Sequence, residues 1–132
     1  MGLRTALYEL IDAWRERNRG VNTSVTITDQ LTEIHETVGI TAYRVVQECL
    51  TNISKHAKAR LVIIKVVVVK DFIRILVEDH GQGFQKDVHS TGLGLAGMKE
   101  RVQGLGGVFE VTSEQGVGTT VEVHLPINFK VM

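Results

Sequence analysis

Four polar residues near the middle of the chain have a spacing that could bring chemistry to one side of a helix. Glu48, Asn52, Lys55 and His56 follow one another at intervals of 4, 3 and 1 residues, so in a helix they project from one side. An Asn amide oxygen can ligate Mg²⁺, a carboxylate one turn earlier can orient a water or accept a proton, and a lysine one turn later can meet phosphate charge. Taken alone, the same residues are also typical of a solvated polar helix face.

A second cluster, residues 78–84 (the acidic segment), follows a predicted strand and combines carboxylates with glycines. Ionised Asp79 can only accept hydrogen bonds, so it can accept the exocyclic amine of adenine, whereas guanine presents a carbonyl there and would be repelled. Gly81 and Gly83 allow the backbone to turn with positive φ and to approach a ligand closely. A common Asp-x-Gly turn that ends a strand explains the same residues without a ligand.

Glycines also open a predicted helix in residues 91–98 (the glycine box), whose sequence is Thr-Gly-Leu-Gly-Leu-Ala-Gly-Met. Backbone N–H groups and the helix dipole at such an N-terminus attract phosphate. The segment is not a Walker loop, because no Gly-Lys-Ser/Thr follows. It is not a dinucleotide fingerprint either, because no strand leads directly into the glycines.

Hydrophobic periodicity predicts the elements that must hold these residues. Apolar residues at helical spacing predict helices, and β-branched runs predict strands. The expected elements are helices at residues 3–17, 41–57 and 93–105, strands at 21–28, 60–69, 72–78, 108–113 and 119–125, and a loop at 85–90. Two starts of the second helix stay open, because Thr41 could cap it, or a longer helix could reach back to Leu31 unless Gly39 interrupts it.

Strands that are adjacent in pairs exclude a simple doubly wound parallel sheet. They predict an α+β fold, an α/β sandwich with helices packed on one face of a mixed β-sheet. The chain has 132 residues, enough for one domain, and its 15 Lys and Arg balance its 15 Asp and Glu, so no global field favours nucleic acid or an anionic membrane. The single cysteine, Cys49, cannot form an internal disulfide, which fits a reducing cytoplasm. The longest apolar run, residues 61–69, is too short to span a bilayer, and no signal-peptide pattern is visible.

The three clusters occur in a fixed order and are followed by a Gly-x-Gly-Thr turn at residues 116–119. In this arrangement the chain resembles the catalytic and ATP-binding domain of histidine kinases in the GHKL superfamily, which also includes gyrase, heat-shock chaperones and mismatch-repair ATPases. Residues 43–57 are similar to the N box, and residues 92–102 to the second glycine box, of the subfamily that works with LuxR/NarL-type response regulators. The resemblance covers essentially the whole chain.

The resemblance implies a role for each matched residue. Asn52 would bind Mg²⁺, and Glu48 occupies the position that polarises a water in related ATPases. The residues implied near the triphosphate are Lys55, His56, Gly92, Leu93, Gly94 and Leu95, and those implied at the adenine are Asp79, Gly81, Gly83 and Thr119. Residues 85–90 would form a lid over the nucleotide. His80 departs from the Asn or Asp that usually follows the adenine-binding Asp.

Three further histidines have no assigned chemistry. His35 precedes an acid, as in a phosphoacceptor box, but the subfamily's box is an Arg-rich helix well upstream, so we expect a surface residue. His89 lies in the expected lid, and His124 lies on the last strand with an expected structural role. The histidines and Cys49 do not form a metal-ligand spacing.

The resemblance also implies an activity and partners. Residues 1–132 would be a single GHKL-type domain that binds ATP and Mg²⁺ and transfers the γ-phosphoryl group to a histidine, with Glu48 and Asn52 as catalytic residues. The acceptor would lie on a helical phosphoacceptor and dimerisation domain outside this chain, and the downstream partner would be a LuxR/NarL-type response regulator. We expect the isolated domain to be a cytoplasmic monomer that binds ATP, does not autophosphorylate and does not contact nucleic acid directly, in a full-length protein that could be anchored in the inner membrane. A GHKL-type ATP hydrolase, an anti-sigma-type serine kinase and a non-catalytic nucleotide-sensing module remain alternatives.

Overall fold

Three α-helices and five β-strands form the part of the chain that the computed structural model describes, residues 2–31, 33–82 and 94–128. The helices are α1 (Leu3–Arg17), α2 (Glu36–Asn52) and α3 (Leu95–Gly104), and a short π-helical segment, Ile53–Ala57, continues α2. The strands are β1 (Asn22–Ile27), β2 (Leu61–Val69), β3 (Phe72–Asp79), β4 (Val108–Glu114) and β5 (Gly118–Pro126). Every predicted helix and strand is therefore present, in the predicted order.

The five strands form one mixed sheet in the order β1-β2-β3-β5-β4. β1 runs parallel to β2, and the β2–β3, β3–β5 and β4–β5 pairs are antiparallel. The turn between β2 and β3 contains Lys70 at a φ of 56°, which closes the hairpin expected from the two β-branched runs. The predicted mixed sheet is confirmed.

The core lies between one face of this sheet and the helices. Alternate residues of β3 are buried, and the Cα partners of Ile75 and Val77 on β2 and β5 are buried as well, because partners across the register share a face. The buried side chains of all three helices belong to the same hydrophobic cluster as these strand residues. The predicted packing of helices on one sheet face is confirmed. Within the described ranges, no helix combines the length and the apolar character needed to cross a bilayer.

The first turn of α2 matches neither start that the sequence left open, because the helix reaches back past Thr41 but not as far as Leu31. The helix begins at Glu36, its N-cap is His35, whose Nδ1 accepts the Thr37 N–H at 3.2 Å, and it continues through Gly39. The cap at Thr41 is wrong, because Thr41 is only 8% exposed inside the helix and its hydroxyl donates to the Thr37 carbonyl at 3.0 Å. His35 is therefore a capping residue, a role that agrees with its expected lack of chemistry.

The C-terminal end of α2 departs from the regular helix expected up to Ala57. The α-helical pattern stops at Asn52, and the next five residues form a π-helix, in which hydrogen bonds run from residue i to i+5. The segment ends at Lys58, which has left-handed backbone angles of φ 50° and ψ 43°. The four polar residues predicted on one regular helix face are thus divided between an α-helical part with Glu48 and Asn52 and a π-helical part.

Candidate functional site

Strand parity places the side chain of Asp79 on the buried face of the sheet. Asp79 is the last residue of β3, in a pattern where every second residue is buried, and it pairs in register with Val62 and Thr119. Its side chain is one of the few buried polar groups in the described residues, with 6% exposure. Its carboxylate accepts the Gly81 N–H at 3.0 Å and the backbone N–H of Thr119, so two backbone donors fix its orientation.

Burial raises the pKa of the Asp79 carboxyl above its usual value near 3.8. The backbone donors of Gly81 and Thr119 and the nearby His80 oppose this shift, and Glu78 adds to it. Burying a carboxylate among apolar side chains costs free energy, and such buried carboxylates are often found at functional sites. Asp79 can therefore accept a hydrogen bond from a ligand at the end of the sheet.

Glu48 on α2 and Gly94 at the start of α3 lie close together, so these two helices meet at this point. A Cβ built on Gly94 would lie 3.0 Å from Oε2 of the partly buried Glu48. Gly94 is the N-cap of α3 at a φ of 69°, and as a glycine it has no side chain to cap that end. Glycine is required here both by the left-handed backbone and by the close approach of a carboxylate. The structure thus joins the first cluster to the described end of the glycine box.

The environment of Cys49 indicates that α2 and the acidic segment lie on the same side of the molecule. Burial, together with the smaller effects of the Glu48 and Asp79 charges, raises the pKa of its thiol to about 12. Both carboxylates therefore lie close enough to act on one buried sulfur. The thiol stays protonated near neutral pH, which makes it a packing group rather than a nucleophile.

The residues expected near phosphates lie at the end of α2 and in the π-helical segment. Asn52 is partly buried in the last α-helical turn, and Lys55 and His56 are exposed on the π-helical segment. The side-chain amide of Gln82 donates to the His56 carbonyl, so the acidic segment contacts this segment directly. Among the described residues no group of three or more His, Cys, Asp and Glu side chains could hold a metal ion.

The turn between β4 and β5 closes the other side of Asp79. The Gly116 N–H donates to the Gln82 carbonyl at 2.6 Å, and Gly118, at a φ of 142°, lies against the Asp79 carbonyl oxygen. The Thr119 hydroxyl forms a 2.8 Å hydrogen bond with the Ser113 hydroxyl. The predicted site residues Glu48, Asn52, Lys55, His56, Asp79, Gly81, Gly94, Leu95 and Thr119 therefore lie on segments that meet at one end of the sheet.

Part of the predicted site cannot be placed. Gly83, Gly92 and Leu93, the expected lid at 85–90 and His89 lie outside the described residues. The structure also adds residues that sequence reasoning did not single out, namely Gln82 and Ser113. No local signal in the sequence could have found them, because each acts through a contact that the fold creates.

The remaining histidines pair with glutamates. His80 Nε2 lies 2.8 Å from Glu78 Oε1, beside Asp79. His124 Nε2 lies 3.1 Å from Glu122 Oε2, and the Arg74 guanidinium lies 2.8 Å from the same carboxylate and lowers its pKa. The second pair lies on the sheet face opposite the helices, which agrees with the structural role expected for His124.

Comparisons with known proteins give a consistent picture. Residues 37–128 match a family model described as histidine kinase-, DNA gyrase B- and HSP90-like ATPase. The sensor histidine kinase LiaS of Bacillus subtilis is 39% identical over 127 residues, which is 96% of this chain and 34% of that protein. The signal transduction histidine-protein kinase/phosphatase UhpB of Salmonella typhimurium is 34% identical over 124 residues, which is 94% of this chain and 24% of that protein.

A solved structure supports the same comparison at the level of the fold. The blue-light activated histidine kinase of Erythrobacter litoralis matches with a TM-score of 0.79 and 25% sequence identity, over 96% of this chain and 42% of that one. The chain thus spans 24% to 42% of the length of these three proteins.

Proposed function

Because this chain belongs to the histidine kinase-, DNA gyrase B- and HSP90-like ATPase family, we propose that it binds Mg-ATP and serves phosphoryl transfer. It is the catalytic ATP-binding domain of a two-component sensor histidine kinase. The nucleotide lies between α2, the acidic segment and the glycine box. One observation supports this placement above the others. Asp79, a buried carboxylate at the end of β3, lies close enough to α2 for its charge to act on Cys49, and the adjacent Glu48 lies beside Gly94.

The adenine end of the site centres on Asp79. Its carboxylate accepts two backbone N–H groups and has further lone pairs for the exocyclic amine of adenine. Gly81 has no side chain that would occupy the space of the base, and we assign Gly83 to the same end of the site. Thr119 supports Asp79 or contacts the base through water. Guanine places a carbonyl oxygen against the carboxylate, so the site prefers adenine nucleotides.

The phosphate end of the site uses residues of α2 and the start of α3. Asn52 supplies one oxygen ligand to the Mg²⁺ that accompanies the nucleotide, since Mg²⁺ keeps several waters and takes its other ligands from substrate phosphates. The N-terminus of α3, whose N-cap Gly94 has no side chain, offers its N–H groups to a phosphate. The residues that we assign to the phosphates are Lys55, His56, Gly92, Leu93, Gly94 and Leu95.

The acceptor of the γ-phosphoryl group is a histidine on a separate helical dimerisation domain. A ring nitrogen of that histidine attacks the γ-phosphorus, the bond to the bridging oxygen breaks, and ADP leaves. Such transfer depends mainly on positioning and charge neutralisation, which this domain supplies. We assign the isolated chain to the cytoplasm as a single, monomeric domain. The next acceptor of the phosphoryl group is a response regulator of the LuxR/NarL type.

A second function, ATP hydrolysis, is favoured by one observation. Glu48 is a partly buried carboxylate next to the N-terminus of α3, where it could activate a water for attack on the γ-phosphorus. Hydrolysis and histidine phosphorylation would use the same nucleotide site. They differ in whether the isolated chain consumes ATP.

Calorimetry with ATP and GTP, with and without Mg²⁺, tests the proposal. We expect ATP to bind, Mg²⁺ to strengthen its binding, and GTP to bind at least about tenfold more weakly, a difference of about 1.4 kcal/mol. Incubation with labelled ATP should leave the isolated chain unlabelled and should label an added helical domain of a related kinase. Absence of ATP binding would contradict the proposal, and ATP consumption without the helical domain would favour hydrolysis.

The change Asn52→Asp should uncouple Mg²⁺ from nucleotide binding. An additional carboxylate next to the triphosphate repels it and alters the ligand set, so we expect the Mg²⁺-dependent gain in ATP affinity to fall about tenfold or more. Titrations of ATP at several Mg²⁺ concentrations measure this gain. Gln47→Glu, the same chemical change on a neighbouring part of α2, serves as the control and should leave the gain unchanged. An unaltered Mg²⁺ dependence in Asn52→Asp would remove Asn52 from the metal site.

A further inference from the structure

The indole of Trp14 connects α1 to the point where α2 becomes π-helical. Its Nε1 donates to the Leu50 carbonyl at 3.0 Å and to the Ser54 hydroxyl at 2.7 Å. Trp14 is 3% exposed, so the ring is held in the core while its N–H reaches the helix backbone. These contacts join residues that are 36 and 40 positions apart in the sequence.

Asn18, at the C-terminus of α1, completes a closed set of hydrogen bonds. The Ser54 hydroxyl accepts from Trp14 and donates to the Asn18 side-chain oxygen at 3.3 Å, and the Asn18 side-chain amide donates to the Trp14 carbonyl at 2.8 Å. Each hydroxyl and amide group in the set therefore has a consistent donor or acceptor role. We call Trp14, Asn18 and Ser54 the indole lock.

The indole lock acts where the helix changes its hydrogen-bonding pattern. In a continuous α-helix the Leu50 carbonyl would accept the N–H of Ser54, four residues later. In this structure the Ile53 N–H bonds to the Cys49 and Leu50 carbonyls, and the indole N–H also binds Leu50. Short π-helical turns inside α-helices are rare and occur frequently at functional sites. Here the side chain from α1 stabilises the turn from outside the helix.

We propose that Trp14 and Ser54 are positioning residues that hold the π-helical segment so that Lys55 and His56 meet the nucleotide phosphates. This inference rests on the proposed function. Lys55 and His56 directly follow Ser54, so the conformation of the π-helical segment decides where both side chains lie relative to Asn52. The adenine end depends on Asp79 and contains no residue of the indole lock. The lock therefore determines affinity for the triphosphate and leaves affinity for the adenine unchanged.

The change Ser54→Ala tests this division of roles, because it removes one hydroxyl from an exposed position and leaves the core intact. We expect ATP affinity to fall about five- to tenfold, and adenosine affinity to stay within about twofold of the wild type. Ser54→Thr keeps the hydroxyl and should restore ATP affinity. Ser24→Ala, at an exposed position of β1, is the matched control and should change neither the ATP affinity nor the adenosine affinity. Trp14→Phe should repeat the effect of Ser54→Ala where it folds.

Trp14 also supplies a direct spectroscopic reading, since it is the only tryptophan of the chain. We expect Ser54→Ala to shift its fluorescence emission, and ATP to change the emission of the wild type more than adenosine does. Equal loss of ATP and adenosine affinity in Ser54→Ala, or no loss of either, would overturn the positioning role while the proposed function stands. A wild-type chain that binds no ATP would overturn the proposed function and this inference with it.

Discussion

Replacing Asp79 by Asn should weaken ATP binding by at least about 100-fold, or about 2.7 kcal/mol, while the chain remains folded. The amide presents a donor where the exocyclic amine of adenine needs an acceptor, and a buried donor facing a donor costs more than the loss of one hydrogen bond. The same change gives guanine's carbonyl a partner, so the preference for ATP over GTP should shrink or reverse. Calorimetry with both nucleotides measures the two effects.

The pKa of Asp79 explains why the variant should keep its fold. Burial raises this pKa in the folded state above the usual value near 3.8, so the folded chain holds the proton more tightly than the unfolded chain. The stability that Asp79 contributes is then greatest at low pH and falls as pH rises through the raised pKa. Asn cannot ionise, so Asp79→Asn should lose this fall, and its free energy of unfolding relative to wild type should improve as pH rises from about 4 to neutrality.

The control for this experiment is Asp71→Asn, the same chemical change at an exposed position in the β2–β3 turn. It should leave both nucleotide affinities within about twofold of the wild type. Near-normal ATP affinity in Asp79→Asn would contradict the adenine assignment. Unfolding of the variant at neutral pH would contradict the explanation of its stability.

Replacing Gly118 by Ala should destabilise the chain by roughly 2 to 5 kcal/mol, an effect that combines backbone strain with a steric overlap. Gly118 has a φ of 142°, which L-residues rarely adopt, and a Cβ there would overlap the carbonyl oxygen of Asp79. To relieve the overlap, β5 must move away from the end of β3, where Thr119 holds the Asp79 carboxylate. The variant should therefore lose ATP affinity as well as stability.

Urea unfolding monitored by Trp14 fluorescence measures this loss, and Gly116→Ala is its matched control. Gly116 also has a positive φ, of 84°, but nothing lies within 4 Å of a Cβ built there. It should lose only the strain component, about 1 kcal/mol, and keep most of its ATP affinity. Equal stability losses in the two variants would show that contact with Asp79 contributes nothing.

Local patterns were enough to predict the helices and strands and the buried position of Asp79. Alternation with period 2 along residues 72–78 already implies that Asp79, the next residue, shares the face of the buried residues, as the structure shows. The helical stripe of α2 and the glycines before α3 likewise predict which elements meet a ligand. These features depend on each residue's neighbours in the sequence, and therefore they can be inferred without the fold.

Contacts between distant parts of the chain decided the rest. The start of α2 is capped by His35, whose backbone N–H donates to the Ile127 carbonyl, and lies at neither of the two positions that the sequence left open. The π-helical segment replaced a regular helix end, and Trp14 bonds to the carbonyl at that point from another helix. Periodicity describes how side chains are distributed around one element, but two alternative caps or two helical patterns differ little in free energy. Contacts with groups that the packing of the whole domain brings close are sufficient to decide between such alternatives, and those groups are distant in the sequence.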